Sequence, residues 1–218
     1  MGATIWAVLG IALLGYLLGS ISFAVIVSRI YAKDDVRNYG SHNAGMTNVL
    51  RVYGVKPAFF TLLGDFAKGI LAVLFGRLIF QALGITGFDA GYIAGYGALM
   101  GHLFPLWFGF RGGKGVATSM GIMFAINPLV ISLMLLIMLP FVFIVRLVSL
   151  ASIIGAALYP FATYLLLCYQ GKPAVIDTCL SAVFAVTVIW MHRSNIKRLL
   201  NGTEKRLTLP KKEDKNKQ

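Results

Sequence analysis

Five stretches of this chain, Ile5 to Ile30, Val55 to Phe80, Ala90 to Phe108, Val148 to Tyr169 and Ala174 to Met191, are apolar over roughly twenty residues or more. Each is long enough to carry a helix across ~30 Å of hydrocarbon. Lipid offers the backbone no hydrogen-bond partner, so such stretches must satisfy their own peptide groups, and the expected fold class is an all-α, polytopic integral membrane bundle. Composition agrees: 58% of the 218 residues are hydrophobic, and 20 Lys and Arg with 8 Asp and Glu cannot coat a soluble fold of this size. The first Lys or Arg is Arg29, so no basic region precedes the first apolar run, which is expected to be a retained helix and not a cleaved signal.

A sixth apolar stretch, Val116 to Val145, is longer than one crossing needs and contains Asn127-Pro128, where a helix loses a hydrogen bond and kinks or breaks. The basic residues bear on it. Arg29, Lys33, Arg37, Arg51 and Lys56 follow the first helix, Arg111 and Lys114 follow the Ala90 helix, Arg146 follows the long stretch, and nine more follow Met191. A turn at Asn127-Pro128 puts all of these on one side and leaves Lys172 alone in the opposite loops. The positive-inside rule then predicts seven transmembrane helices, with the N-terminus outside and the C-terminus cytoplasmic. A single helix over 116–145 would give six. Residues 1–204 are expected to form one transmembrane catalytic domain and 205–218 a basic, flexible cytoplasmic tail. Basic residues confined to loops and a tail beside apolar runs report topology and contact with membrane lipids, so nucleic acid is not an expected partner. Cys168 and Cys179 flank a short connection where a disulfide is conceivable, and two ordinary buried thiols are expected instead.

Four polar segments interrupt this apolar background. The first, Gly40-Ser41-His42-Asn43-Ala44-Gly45-Met46-Thr47-Asn48, ends in Val49-Leu50-Arg51. Its glycines permit tight turns that aim N–H groups at one point, Ser41, Asn43, Thr47 and Asn48 add side-chain donors, and Arg51 offers a planar fork for phosphate. A solvated connector contains the same residue types, so this loop alone leaves both readings open. The second, Arg111-Gly112-Gly113-Lys114-Gly115-Val116-Ala117-Thr118, sets a lysine between glycines where a helix begins, a place where a phosphate can meet an ammonium and helix N–H groups together. It lacks Walker A spacing, and a glycine hairpin with an interfacial lysine anchor is its simpler alternative. Third, Ser149 lies three residues after Arg146. Fourth, His192 to Glu204 leaves the last helix as a basic amphipathic segment, in which His192, Asn195 and Glu204 exceed what lipid anchoring needs. Inside the second helix Asp65 and Lys68 lie three apart on one face, a pair read as a structural brace beneath the loops. His102 is read as a satisfied core residue.

The patterns G-S-x-N-x-G-x-T-N-x-x-R at 40–51, G-H-x-F-P at 101–105 with G-G-K-G-V-A-T at 112–118, V-S-L-A-S at 148–152 and N-I-K-R-L-L-x-G-x-E at 195–204 resemble the bacterial acyl-phosphate:glycerol-3-phosphate acyltransferases, over nearly the whole chain. D-F-A-K-G at 65–69 also looks like the family's second helix. Ser194 departs from the pattern, standing where the family commonly has Glu. The resemblance implies an enzyme of the bacterial cytoplasmic membrane, with its site facing the cytoplasm. It implies transfer of a fatty acyl group from acyl phosphate to the 1-hydroxyl of sn-glycerol 3-phosphate, which yields lysophosphatidic acid and phosphate at the first step of phospholipid synthesis. On the matching positions, Arg51 and Lys114 are expected to clamp phosphates and Ser41 with the Asn43 to Asn48 backbone to orient an anion. Ser149, His192 and Asn195 are expected to complete the glycerol phosphate pocket, with Gly40, Asn43, Gly45, Thr47, Asn48, Gly112, Gly113, Gly115, Thr118 and Glu204 around it.

A mixed anhydride is already activated and no Ser-His-Asp or Cys-His grouping is visible, so direct transfer is expected, with the general base open between His192 and a substrate phosphate. The H-x4-D motif of coenzyme A dependent acyltransferases is absent: His42 is followed by Thr47 at that spacing and His102 by Trp107. No metal and no cofactor are expected, and the oligomeric state is open. The alternative from another class is a small transporter or flippase for an anionic phosphorylated solute, with Asp65 and Lys68 as its coupling pair.

Overall fold

The computed structural model describes residues 2–207, and from residue 208 onward the expected basic tail lies outside the described residues. Ten α-helices follow one another: α1 Gly2–Gly19, α2 Phe23–Ala32, α3 Met46–Tyr53, α4 Val55–Ala82, α5 Ala90–Leu103, α6 Val116–Ile126, α7 Pro128–Val145, α8 Val148–Tyr169, α9 Val175–Met191 and α10 Arg193–Leu200. Single 3₁₀ turns lie at Val36–Asn38 and Leu106–Phe108, and the described residues contain no strand.

The first apolar run is not one uninterrupted helix. It breaks between Gly19 and Phe23, where the Ser20 hydroxyl bonds the Tyr16 carbonyl at 2.8 Å and accepts from the Leu106 amide at 3.2 Å. The Ala90 run also stops early, at Leu103, because Pro105 cannot donate to a continuing ladder.

At Asn127-Pro128 the expected turn is present. Asn127 caps α7 by accepting from the Val130 amide, and Pro128 occupies the first helical position, where its missing N–H costs nothing. α6 lies along α4, and Arg77, in the last turns of α4, donates to the Ala125 carbonyl. α7 then doubles back, since the Arg146 carbonyl accepts from the Leu207 amide and Ser149 reaches Glu204, at the same end of the bundle as Lys114. Four segments, Thr4–Ala32, Val55–Ala82, Pro128–Val145 and Val148–Tyr169, have span length, and Val175–Met191 with Arg193–Leu200 makes a fifth through a 60° bend. α5 and α6, at 14 and 11 residues, rise only ~21 and ~16 Å.

Small residues let the central helices touch. Gly15 and Gly19 of α1 face Gly97 and Gly101 of α5: a Cβ on Gly19 would lie 2.0 Å from the Ala98 carbonyl oxygen, and one on Gly101 2.1 Å from that of Tyr16. Both pairs are spaced four apart, the arrangement by which membrane helices gain close backbone contact. Gly101→Ala is therefore expected to destabilise the bundle by about 1–3 kcal/mol, because the obstructing atom is backbone and cannot rotate away. Thermal unfolding in detergent micelles checks this, and an unchanged midpoint would refute it.

Outside this spine the helices present apolar side chains: Leu136, Ile137, Phe143 and Ile144 of α7 are 61–80% exposed. Such a surface requires lipid as its solvent. Cys168 and Cys179 are free and exposed, correcting the expectation of buried thiols. At the end remote from Lys114, Arg77 grips Asp89 at 2.9 and 2.5 Å while Asp89 caps α5 through the Gly91 amide, a brace that the sequence reading did not single out.

Candidate active site

The first polar loop is organised by Asn48. Its buried amide nitrogen lies 3.0, 3.0 and 3.1 Å from the carbonyls of Val36, Tyr39 and Asn43, which share its two N–H bonds, and its Oδ1 accepts from the Ser41 amide at 2.8 Å. Gly40, at φ +66°, lets the chain pass so close that a Cβ there would meet Asn48 Oδ1 at 2.3 Å. Asn48 is thus spent on holding the loop. The amides of Ser41, His42, Ala44 and Gly45 also have partners within the chain, so what this loop can present is the exposed Ser41 hydroxyl, half-buried Asn43 and Thr47, Arg51 on α3, and the amides of Asn43, Met46 and Thr47. Arg37 fastens the loop to the next one, donating to the carbonyls of Phe108 and Arg111. Hydrogen bonds from that guanidinium hold the Asp35 carboxyl below its usual range.

The second loop folds onto the end of α5. The Gly112 and Gly113 amides donate to the carbonyls of Leu103 and His102 at 3.2 Å each, and the Ala44 amide reaches the Gly112 carbonyl at 3.4 Å, joining the two loops. These two glycine amides are consumed inside the chain, which leaves the N–H groups at the start of α6 and the Lys114 ammonium as the donors of this loop. Gly115 takes φ +83° and starts α6. Thr118 is fully buried against α4, its hydroxyl without a partner and its carbonyl 2.4 Å from where a Cβ on Gly69 would stand, so it packs helices.

Lys114 extends from this loop to Asn195 of α10, donating to its Oδ1. The Asn195 amide in turn donates to Glu204 Oε1 at 2.6 Å, Ser149 donates to the same oxygen at 2.7 Å, and Arg198 donates to Glu204 Oε2 at 2.7 Å. Although burial alone would raise it, the Glu204 carboxyl is held below its usual range by these three donors. Glu204 is therefore the joint on which α8, α10 and the second loop converge. Arg198 was missed by the sequence reading because a lysine or arginine on a basic amphipathic helix looks the same whether it anchors to lipid or to Glu204.

His192 lies buried at the bend between α9 and α10, its Nδ1–H donating to the Val188 carbonyl at 2.8 Å, which leaves Nε2 as the acceptor. Burial, and secondarily the Lys114 charge, push its pKa down to about 4. Burial likewise pushes the Lys114 ammonium down to about 8, with Arg198 and Arg51 adding to the fall and Glu204 opposing it. The protonated lysine is the form that attracts phosphate, so kcat/KM is expected to fall about tenfold per pH unit above pH 8, while below pH 7 the substrate phosphate's own second ionisation at pH ~6 shapes the profile and His192 adds no limb. Lys114→Arg, which keeps its charge throughout this range, should abolish that fall. A profile flat to pH 10 in the wild type would refute the assignment.

Of the expected site residues, Lys114, Ser149, Asn195 and Glu204 form one hydrogen-bonded chain, with His192 and Arg51 close enough to Lys114 to exchange charge effects with it. Asp65 and Lys68 pair at 2.8 Å beneath the loops.

The sequence profile described as glycerol-3-phosphate acyltransferase matches residues 9–202. A glycerol-3-phosphate acyltransferase of Clostridioides difficile is 42% identical over 90% of this chain and 94% of its own length. One of Agrobacterium fabrum is 43% identical over 90% of each. Among solved structures, the glycerol 3-phosphate form of PlsY, an integral membrane glycerol 3-phosphate acyltransferase, superposes with a TM-score of 0.78 at 36% identity, covering 92% of this chain and 96% of that one. Its lysophosphatidic acid form superposes at 0.76 and 36% identity, covering 91% and 94%. With likeness running almost end to end in both sequence and fold, the chain belongs to the integral membrane glycerol-3-phosphate acyltransferase family.

Proposed function

We propose that this chain moves a fatty acyl group from acyl phosphate to the 1-hydroxyl of sn-glycerol 3-phosphate by direct transfer at the cytoplasmic face of the membrane. The observation that carries this reading is the charge balance at the open end of the bundle. The Lys114 ammonium is held by the neutral Asn195 amide, lies near the guanidiniums of Arg51 and Arg198, and among the described residues has Glu204 as the one carboxylate acting on it. Partly buried, uncompensated positive charge of this kind favours a dianionic phosphate. Both substrates carry one, and the alkyl chain of the donor rests among the lipid-facing helices.

In the reaction the hydroxyl oxygen forms a bond to the acyl carbon while the bond from that carbon to phosphate oxygen breaks. The hydroxyl proton ends on phosphate. His192 at a pKa of about 4 is a weak base at neutral pH, which favours a substrate phosphate oxygen as the first acceptor. His192→Ala is then expected to keep turnover within about tenfold of wild type, and a loss beyond a thousandfold would return the proton to His192.

The end carrying Arg37, Arg51, Arg111 and Lys114 faces the cytoplasm by the positive-inside rule, with the N-terminus outside and seven apolar helical segments, two of them short, completing the bundle. Incubating purified protein with palmitoyl phosphate and glycerol 3-phosphate, without coenzyme A, tests the reading. Equimolar phosphate and lysophosphatidic acid are expected. Product from palmitoyl coenzyme A alone would sink the donor assignment.

A further inference from the structure

Three ionisable side chains lie buried under the second loop, and the transfer chemistry above uses none of them: Asp65, Lys68 and His102, exposed by 1, 3 and 5%. Lys68 Nζ has three acceptors in reach, the Ile21 carbonyl at 2.8 Å, Asp65 Oδ1 at 2.8 Å and His102 Nδ1 at 2.9 Å. The Ile21 carbonyl and His102 Nδ1 are its hydrogen-bond partners, while Asp65 Oδ1 is held as an ion pair without hydrogen-bond geometry. An ammonium carries N–H bonds and no lone pair, so it meets Nδ1 only as a donor, and Nδ1 must present its lone pair. A neutral imidazole has one proton to place. It therefore sits on Nε2, the ring edge turned toward the second loop. Asp65 Oδ1, the competing partner of Nδ1, is farther away at 3.5 Å.

That edge is in close contact with the machinery of the site. A Cβ built on Gly113 would fall 2.2 Å from His102 Nε2 and 2.6 Å from the Ala44 carbonyl oxygen, so the ring edge and a carbonyl of the first loop converge on the space that a side chain at Gly113 would fill. The His102 backbone carbonyl also accepts the Gly113 amide at 3.2 Å. Gly113 immediately precedes Lys114. Through Lys68 the same imidazole is tied to Ile21, at the break between α1 and α2.

We propose that His102 is a positioning residue for Lys114, locked by Lys68 in its Nε2–H tautomer so that an N–H, not a lone pair, shares the space beside Gly113 with the Ala44 carbonyl. The opposite tautomer would set two electron-rich groups against each other and push the first and second loops apart, taking Arg51 and Lys114 out of register. The proposal rests on the reading of Lys114 as a substrate phosphate group.

Two amide side chains separate the jobs of the two ring nitrogens. His102→Asn places an acceptor near the Nδ1 position and removes Nε2–H; His102→Gln places an N–H near the Nε2 position and removes the acceptor for Lys68. With glycerol 3-phosphate varied at saturating palmitoyl phosphate, His102→Asn is expected to raise KM about tenfold with an unfolding midpoint near that of wild type. His102→Gln is expected to keep KM within about threefold while lowering the midpoint. A purely structural histidine would lower both midpoints and leave KM of the folded protein unmoved in both, and that result would overturn the proposal. The tautomer is read independently on wild-type protein by ¹⁵N NMR after histidine labelling, the chain having three histidines. A pyrrole-type Nε2 and imine-type Nδ1 for His102 are expected, and the reverse assignment would overturn the proposal whether or not either variant folds. Wild-type protein that fails to acylate glycerol 3-phosphate while showing the expected tautomer would refute the functional reading and, with it, the positioning role; active wild type with unchanged KM in His102→Asn would refute the positioning role alone.

Discussion

Lys114→Ala is expected to lower kcat/KM by ~10³-fold while the protein stays folded. The side chain supplies an ammonium in a partly buried place where the neighbouring charges are Arg51, Arg198 and Glu204, and its one hydrogen bond goes to a neutral amide. A donor aimed at developing negative charge in a water-poor site is typically worth ~3–4 kcal/mol, which corresponds to two to three decades in rate. Folding should tolerate the change because Gly112 and Gly113 are held by backbone bonds to Leu103 and His102, independent of the lysine side chain. Lys114→Arg should recover part of the activity, since charge is retained but the planar fork is longer than the reach to Asn195. Measuring initial rates alongside an unfolding midpoint separates the cases. A variant with an unchanged midpoint and a loss below tenfold would remove Lys114 from the reaction.

For Glu204→Ala the expectation is a combined loss, about 10²-fold in kcat/KM together with a lower unfolding midpoint. Three donors converge on this carboxylate, from Ser149 on α8, from Asn195 and from Arg198 on α10, so removing it leaves part-buried polar groups without a partner. Each charge-assisted bond of this kind contributes ~1.5–3 kcal/mol. Asn195 would then be free to rotate, and with it the acceptor that positions Lys114. Glu204→Gln keeps an acceptor but loses the charge, so it should fall between wild type and alanine in both readouts. A Gln variant as impaired as Ala would assign the role to charge alone. Full activity in the alanine variant would show that Ser149 and Asn195 need no such joint.

Much of this was legible before any coordinates. Apolar runs of known length announce helices in lipid, and Asn127-Pro128 announced the turn between α6 and α7 because a proline's missing N–H acts locally wherever it stands. The Asp65–Lys68 pair was readable from helical spacing and the cost of burying a lone charge. The glycine loops were readable as special places, though not down to which of their amides stay free. Their amides looked available to phosphate, yet those of Gly112 and Gly113 close the end of α5 and that of Ser41 serves Asn48. Sequence shows which residues can donate but not which carbonyl has already claimed them.

The break after Gly19 stayed hidden for the same reason. Ser20, Ile21 and Ser22 are compatible with a continuous membrane helix, and the interruption is stabilised from elsewhere, by Lys68 on the Ile21 carbonyl and by Leu106 on Ser20. The membrane as solvent, the helical segments and the end of the bundle where polar loops gather can all be read from the chain, because they follow from hydropathy, length and charge within about twenty residues. Packing alone brings Lys114 to Asn195 across 81 residues of chain, joins α8, α10 and the second loop at Glu204 and stands His102 against Gly113. Such contacts depend on how helices pack side by side, and packing is set by the shapes of all the neighbours at once, which no local pattern records.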